Sequence, residues 1–503
     1  MNVSPKYENY EYTARGALLR SQSIVECRLS DWSENKVLAV SPSVVLSGAE
    51  VLSGEVRYSG KLYFSVVARA PGGEIVSAER GAEFSHRAEC ETAAPAQTAD
   101  VSLYVEKVDI RPDGRGIILS AIVTAQIELF VPSQLEYLAG GEGVVCDYKP
   151  VRVGRAYLCG GAAEIEEEFD TDYVGDVLLH SEQVGLTRVV AAAGCLDVSG
   201  EINLCVLAKR EGESDLVAYE RLIPFRAEIP CDEAVTGSAC DARASVSSVS
   251  LSAACDEDKN RCRIAAQVTV DIRGRVYRSD EVVLPQDAFC LGCGSEIARN
   301  EIACEEPVCA FTASERVSGT AAVDGSVDFA CALQASALCG AQVFAEVSDG
   351  EINAEGVLNA SVFMKDGEGN AACVRVSLPF AFPVRSDRAK AGMRAAITAT
   401  VCGVSVRQKT EGELEAEGAL KLFVVLFAAE KGEYVSRIEP GEAEAEKTSA
   451  ISVHVPAAGD TLWATAKKLG KTPEEVQSAN PNLTFPLTGG ERIVVYRPKQ
   501  IAQ

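Results

Sequence analysis

Apolar and polar residues alternate along most of the chain as far as about Arg437, the period of half-buried strands. The alternating stretches recur in a fixed order, with a period of roughly 140 residues, longer than a solenoid repeat and suited to a duplicated domain. A glycine opens one stretch in each copy: Gly60-Lys61-Leu62, Gly200-Glu201-Ile202 and Gly356-Val357-Leu358. A phenylalanine follows at Phe84, Phe225 and Phe380, preceded by Pro224 and Pro379 in the last two. Next come paired valines: Val105 and Val108, Val246 and Val249, Val401 and Val404. A polar turn and a returning alternating strand complete each hairpin. Further alternating stretches lie upstream, at Lys36 to Leu46, Glu182 to Val190 and Asp328 to Ala335. Turns such as Pro71-Gly72-Gly73 and Asp366-Gly367 separate strands in between.

This pattern predicts a mainly β protein with three tandem β-sandwich-like repeat domains, at about residues 21–145, 155–290 and 300–437. Residues 1–20 read as an irregular N-terminal segment. The acidic stretch 438–450, with Pro440 and Gly441, reads as a tether.

The period changes after residue 450. Val453 to Val455 is a short strand, and Asp460 is placed to cap the helix that follows. Leu462, Trp463, Ala466 and Leu469 share one helical face, and Gly470 ends that helix. Thr472-Pro473-Glu474-Glu475 spells a capping box with proline at the first helical position. Asn480-Pro481-Asn482 stops the second helix, and Gly489-Gly490 turns into a last strand, Arg492 to Tyr496. The order is β-α-α-β.

That stretch, within residues 451–498, resembles the LysM module in Gly459-Asp460-Thr461-Leu462-Trp463, the two capped helices, Asn480-Pro481-Asn482-Leu483 and the closing strand. The resemblance implies a ligand groove between two loops, formed here by Gly459, Asp460, Thr461, Leu462, Asn480, Pro481, Asn482 and Leu483. Modules of this family usually bind glycans containing N-acetylglucosamine, and some bind proteins. Thr465 departs from the pattern by standing in mid-helix where an aliphatic residue is common, a change expected to cost little packing.

The three-fold body resembles the SPOCS domain of clostridial spore coat proteins, on its glycine-strand-hairpin-strand-phenylalanine block and the paired strands after it. Tandem SPOCS domains followed by one C-terminal LysM form the layout of a family of spore morphogenetic proteins that bind the coat-basement ATPase of stage IV sporulation. The resemblance implies a scaffold or adaptor of spore envelope assembly, in the mother-cell cytoplasm at the forespore surface, with the ATPase or another coat protein as partner. The third copy keeps Gly356 and Phe380 but replaces the polar-acidic pair after the glycine, so its surface role is less defined.

Composition narrows the alternatives. The formal charge of -25 argues against nucleic acid, which needs a cationic surface. From Ile451 onward the balance reverses: Lys467, Lys468, Lys471, Arg492, Arg497 and Lys499 outnumber Asp460, Glu474, Glu475 and Glu491. A slightly basic module on an acidic body suits an acidic partner surface, or is simply a solvated helix face. The first thirty or so residues hold no apolar run behind a basic start, and nothing approaches a membrane span. The expectation is a cytoplasmic protein. Its 18 cysteines are then expected to be reduced and to serve as small hydrophobes in strands, as at Cys205, Cys331, Cys373 and Cys402.

Chemistry is sparse. His86, His180 and His454 have no metal-ligand spacing, and no phosphate-binding glycine loop is present. Cys290 and Cys293, with Cys304 and Cys309 beyond, form a weak zinc candidate; the alternative is a connector with two cysteines in a turn and two in a strand. No cofactor and no enzymatic activity are expected. Two binding functions stay open: an adaptor that uses the LysM surface for protein, and a peptidoglycan-binding protein of the cell wall or spore cortex.

Overall fold

The computed structural model describes residues 3–172, 176–209, 216–256, 261–322, 340–365, 371–410, 412–443 and 451–496. It is mainly β, with twenty strands and two short helices among those residues. The first six strands are β1 (Ser4–Leu29), β2 (Lys36–Leu52), β3 (Glu55–Arg69), β4 (Ile75–Glu89), β5 (Thr98–Asp113) and β6 (Gly116–Glu142). They form two antiparallel sheets in the orders β2-β3-β4 and β1-β6-β5. The same arrangement recurs with β7 (Val144–Asp172), β8 (Asp176–Ala192), β9 (Cys195–Lys209), β10 (Leu216–Pro230), β11 (Ala239–Asp256) and β12 (Arg261–Cys290). It recurs again with β13 (Cys293–Ala322), β14 (Gly340–Ser348), β15 (Glu351–Lys365), β16 (Ala371–Arg385), β17 (Arg394–Thr410) and β18 (Glu413–Ala443).

The glycine and phenylalanine landmarks are one feature. Gly60 lies directly across from Phe84, Gly200 from Phe225 and Gly356 from Phe380. A Cβ at Gly60 would stand 2.7 Å from Phe84 Cζ, and one at Gly200 2.6 Å from the Phe225 ring. The ring lies over the bare backbone, so the glycine sits inside the strand rather than opening it as the sequence suggested. The paired valines are strand positions too. Val105 faces Val123, Val246 faces Val270 and Val401 faces Leu420, each beside a bulge. The upstream stretch Asp328 to Ala335, Cys331 and the Asp366-Gly367 turn lie outside the described residues.

The N-terminal segment is not irregular. β1 pairs with β6 from Ser4, opposite Glu142, to Leu29, opposite Ile117. Register shifts at Lys6/Tyr7 and Arg15/Leu18 break its alternation. Its apolar side is also spelled in tyrosines: Tyr10 and Tyr12 pack beside Leu135, Val151, Ile302 and Tyr434 from all three strand sets. The acidic stretch after residue 437 likewise starts as strand. β18 runs to Ala443 opposite Cys293, with Ile438 buried, and residues 444–450 lie outside the described residues.

The three sets meet around a pseudo-threefold centre. Val67, Leu207 and Phe363 hold the same place in the central strands β3, β9 and β15, and all three share one fully buried cluster. The long central strands β6, β12 and β18 also touch one another. Counted from the valine bulges, Glu128, Arg275 and Val425 are equivalent there, so one position carries an anion, a cation and an apolar group. Arg275 donates to Glu128 at 2.6 Å and to Asp241, all three being buried. Arg15 extends the network from Glu128 at 2.6 Å to Glu305 at 2.9 Å, and Arg394 meets Glu305 at 3.0 Å. One ion network therefore ties the three sets together.

The remaining elements are β19 (Ile451–His454), α1 (Leu462–Leu469), α2 (Pro473–Ala479) and β20 (Ile493–Tyr496). No helix among the described residues is long and apolar enough to cross a membrane.

Candidate binding surface of the C-terminal module

Each helix of the module is fixed by the residues that flank it. Thr461, rather than Asp460, is the N-cap of α1; its Oγ1 accepts from the Ala464 N–H at 3.1 Å. The Asp460 carboxylate instead accepts from the Ala457 N–H and from Lys468 Nζ, both at 3.0 Å. These bonds hold its carboxyl below the usual range. Gly470 closes α1 in the left-handed conformation at φ 60°. Thr472 and Glu475 form the reciprocal capping box on α2. Ala466, Val476, Leu487, Ile493 and Val495 make the module's core, with Leu462, Trp463, Leu469 and Leu483 packed against it.

The first predicted loop is pinned to a third segment at Leu487, and the second closes on itself. Gly459 N–H donates to Leu487 O at 2.7 Å, Leu487 N–H donates to Asp460 O at 3.0 Å, and Leu483 N–H donates to Asn480 O at 3.1 Å. The predicted residues divide by exposure. Gly459, Thr461, Pro481 and Asn482 are exposed, Asp460 is half-buried, and Leu462 and Leu483 are half-buried members of the core. Asn480 is buried and structural. Its Nδ2 donates to Val476 O at 3.0 Å and to Val494 O at 2.8 Å, and its Oδ1 accepts from Val494 N–H at 2.7 Å. It offers nothing to a ligand. Thr465 is fully buried and its Oγ1 finds no partner, so the departure at this position costs more than the sequence implied.

α1 also docks the module onto the body, through contacts that the sequence does not announce. Asp287 stands at a bulge in β12. It accepts from Trp463 Nε1–H at 2.8 Å and from Lys467 Nζ at 2.7 Å. Phe289 meets the Trp463 ring edge-on at a centroid separation of 5.2 Å. Burial raises the Asp287 pKa, but the bonds from Lys467 and Trp463 outweigh it and hold the carboxyl below its usual value. Asp287 and Trp463 are 176 residues apart, and nothing local marks Asp287.

A shallow cavity of about 520 Å³ lies on another side of the module, between α2 and β20. Lys471, Glu475, Ser478, Val494 and Tyr496 line it, and none belongs to the predicted groove.

The four candidate zinc cysteines do not converge. Cys290 ends β12 and Cys293 starts β13, on either side of a tight turn at Gly292. Cys304 and Cys309 lie farther along the same extended β13, and at ~3.3 Å per residue Cys304 stands roughly 35 Å from Cys293. No group of three or more potential ligands able to hold a metal is found among the described residues. Burial pushes the thiols of Cys290 and Cys304 up to about 11 and that of Cys373 to about 12, which disfavours the reactive thiolate. The expectation of uniformly reduced thiols fails at one pair: Cys255 and Cys262 face each other across the β11–β12 hairpin and form a disulfide. The other described cysteines form no disulfide, and each is buried or half-buried. His180 Nδ1 lies 3.0 Å from Glu182, His86 packs edge-on to Tyr58, and His454 sits in β19, so the three histidines stand apart.

Compared with protein-family models, curated proteins and solved structures, the chain finds no match in any of the three.

Proposed function

We propose that this chain is a non-enzymatic scaffold and adaptor of spore envelope assembly. In this reading three SPOCS-like repeat domains form the body, and a C-terminal LysM-like module captures a protein partner, the coat-basement ATPase or another coat protein. The site of action would be the mother-cell side of the forespore surface. The observation that carries the reading is the docking of α1. Trp463 and Lys467 hold the module to the body at Asp287, while Thr461, Pro481 and Asn482 remain exposed. A module held in fixed orientation suits a broad protein surface, which could touch loops and body together. The module's basic surplus on an acidic chain adds electrostatic selectivity.

The test is a paired retention assay with the full chain, using purified peptidoglycan as one bait and the sporulation ATPase as the other. The expected result is ATPase retention without glycan binding, reduced at least tenfold by Pro481→Glu with Asn482→Arg. Saturable glycan binding without ATPase retention would overturn the reading in favour of a wall or cortex protein. Leu462 and Leu483 are poor probes, because both belong to the module's core.

A further inference from the structure

We infer that the free edge of β19 is a self-association site, where a second copy of this chain adds its own β19 antiparallel to the first. The inference does not depend on the proposed function.

The two-stranded sheet has two outer edges, and among the described residues only one is open. On β20 the central outward amide groups belong to Val494, whose N–H and C=O are both taken by the Asn480 side chain. Strand addition there is blocked. That assignment also fixes the other edge. Because Val494 points away from β19, its cross-strand partner Val453 points its own N–H and C=O away from β20. The same alternation turns Ile451 and Val455 outward, while Ser452 and His454 bond to β20.

The side chains on this strand lack the usual protection of an edge. Ile451, Val453 and Val455 are 58%, 56% and 66% exposed, and Tyr496, opposite Ile451, is 58% exposed. No lysine, glutamate, aspartate, arginine or bulge interrupts Ile451 to Val455 except the proline that follows at Pro456. Edges of this composition invite pairing with another chain.

The strand is complementary to itself. In an antiparallel register centred on Val453, Val453 meets Val453 of the second copy, Ile451 meets Val455, and Ser452 meets His454. Every outward N–H and C=O then finds a partner, each apolar side chain lies beside another, and no like charges oppose. The result is a four-stranded sheet with two-fold symmetry, the commonest closed arrangement for identical chains. Its contact is below ~1,000 Å², so the association is weak, at tens to hundreds of micromolar chain. The formal charge of -25 on each copy opposes it, and added salt strengthens it by screening.

Sedimentation equilibrium of the full chain tests this directly. The expected mass rises with concentration from 53.3 kDa towards twice that value. Val453→Lys should raise the dissociation constant at least tenfold while Trp463 emission stays unchanged, since the Val453 side chain faces solvent. The register has its own readout. Val453→Cys places two thiols on Cα atoms ~5.5 Å apart, within bridging range, and should yield a disulfide-linked dimer under mild oxidation. Ile451→Cys places them ~14 Å apart and should not. A chain that stays monomeric to millimolar concentration, a self-association indifferent to Val453→Lys, or equal cross-linking by both cysteine variants would overturn the inference.

Discussion

The indole N–H of Trp463 donates to Asp287 Oδ2 at 2.8 Å, and this bond joins a helix of the small module to a bulge in the body. Lys467 Nζ reaches the same carboxylate. Asp287→Ala should therefore loosen docking by about 2 kcal/mol, the scale of hydrogen bonds to a charged group. The measurement is Trp463 emission in a Trp32→Phe background, where release from Phe289 shifts the spectrum to the red. The pH dependence has a definite sign. The folded carboxyl titrates below its ordinary value of 3.8. Its contribution is complete above that value and is lost as pH falls through the lower, folded one.

Thr465→Val should stabilise the module by about 1 kcal/mol. The hydroxyl is fully buried without a partner, and valine keeps the shape while removing the unsatisfied group. β-Branching is unchanged, so helix propensity contributes little. Differential scanning of the two proteins checks it, and a lower transition temperature for the variant would count against this account.

Arg275→Ala should cost about 3–5 kcal/mol, because it strips buried Asp241 of its two-pronged partner and leaves buried Glu128 to Arg15. Arg275→Met combined with Glu128→Gln and Asp241→Asn should recover most of that loss. Burial raises the Glu128 pKa, but Arg275 and Arg15 outweigh it and leave the carboxyl below its ordinary value. Its stabilising part is present above about pH 4.5 and fades as pH falls through the folded value. Denaturant titration at several pH values reads both effects.

Phe363→Ala should destabilise the junction of the three strand sets by about 3–5 kcal/mol, since the ring fills the centre between Val67 and Leu207. Phe363→Leu should cost less. Proteolysis under native conditions, followed by mass spectrometry of the fragments, would show whether the sets come apart before they unfold.

Much of the fold was legible because strands write their period locally. The valine hairpins, the Gly470 helix stop and the α2 capping box follow from residues within a few positions of one another, whereas the α1 N-cap falls one residue beyond the expected Asp460, at Thr461. Thr472 and Glu475 needed no tertiary information at all. β1 was missed because its register shifts and tyrosines obscure the alternation, and its partner strand β6 lies far along the chain, with Ser23 paired 100 residues from Val123. The candidate loops were placed by resemblance, but roles within them were not. Asn480 looks like a loop residue in sequence and proves to be a buried brace. Asp287 was invisible, since one aspartate in an acidic chain carries no local mark.

The centre shared by Val67, Leu207 and Phe363 carries a consequence for chain order. β11 of the second set lies against β2 of the first, and β17 of the third lies against β8 of the second. The sets thus follow one another with a fixed sense of rotation. A chain that begins with the second set and ends with the first would keep the order of the sets around the centre. One that transposes the second and third would bring Glu128, Arg275 and Val425 together in the opposite sense, and each residue would meet a surface built for another. A symmetric trimer of one short chain has no such sense to lose. Carrying three strand sets in a single chain turns place around that centre into an address along the sequence.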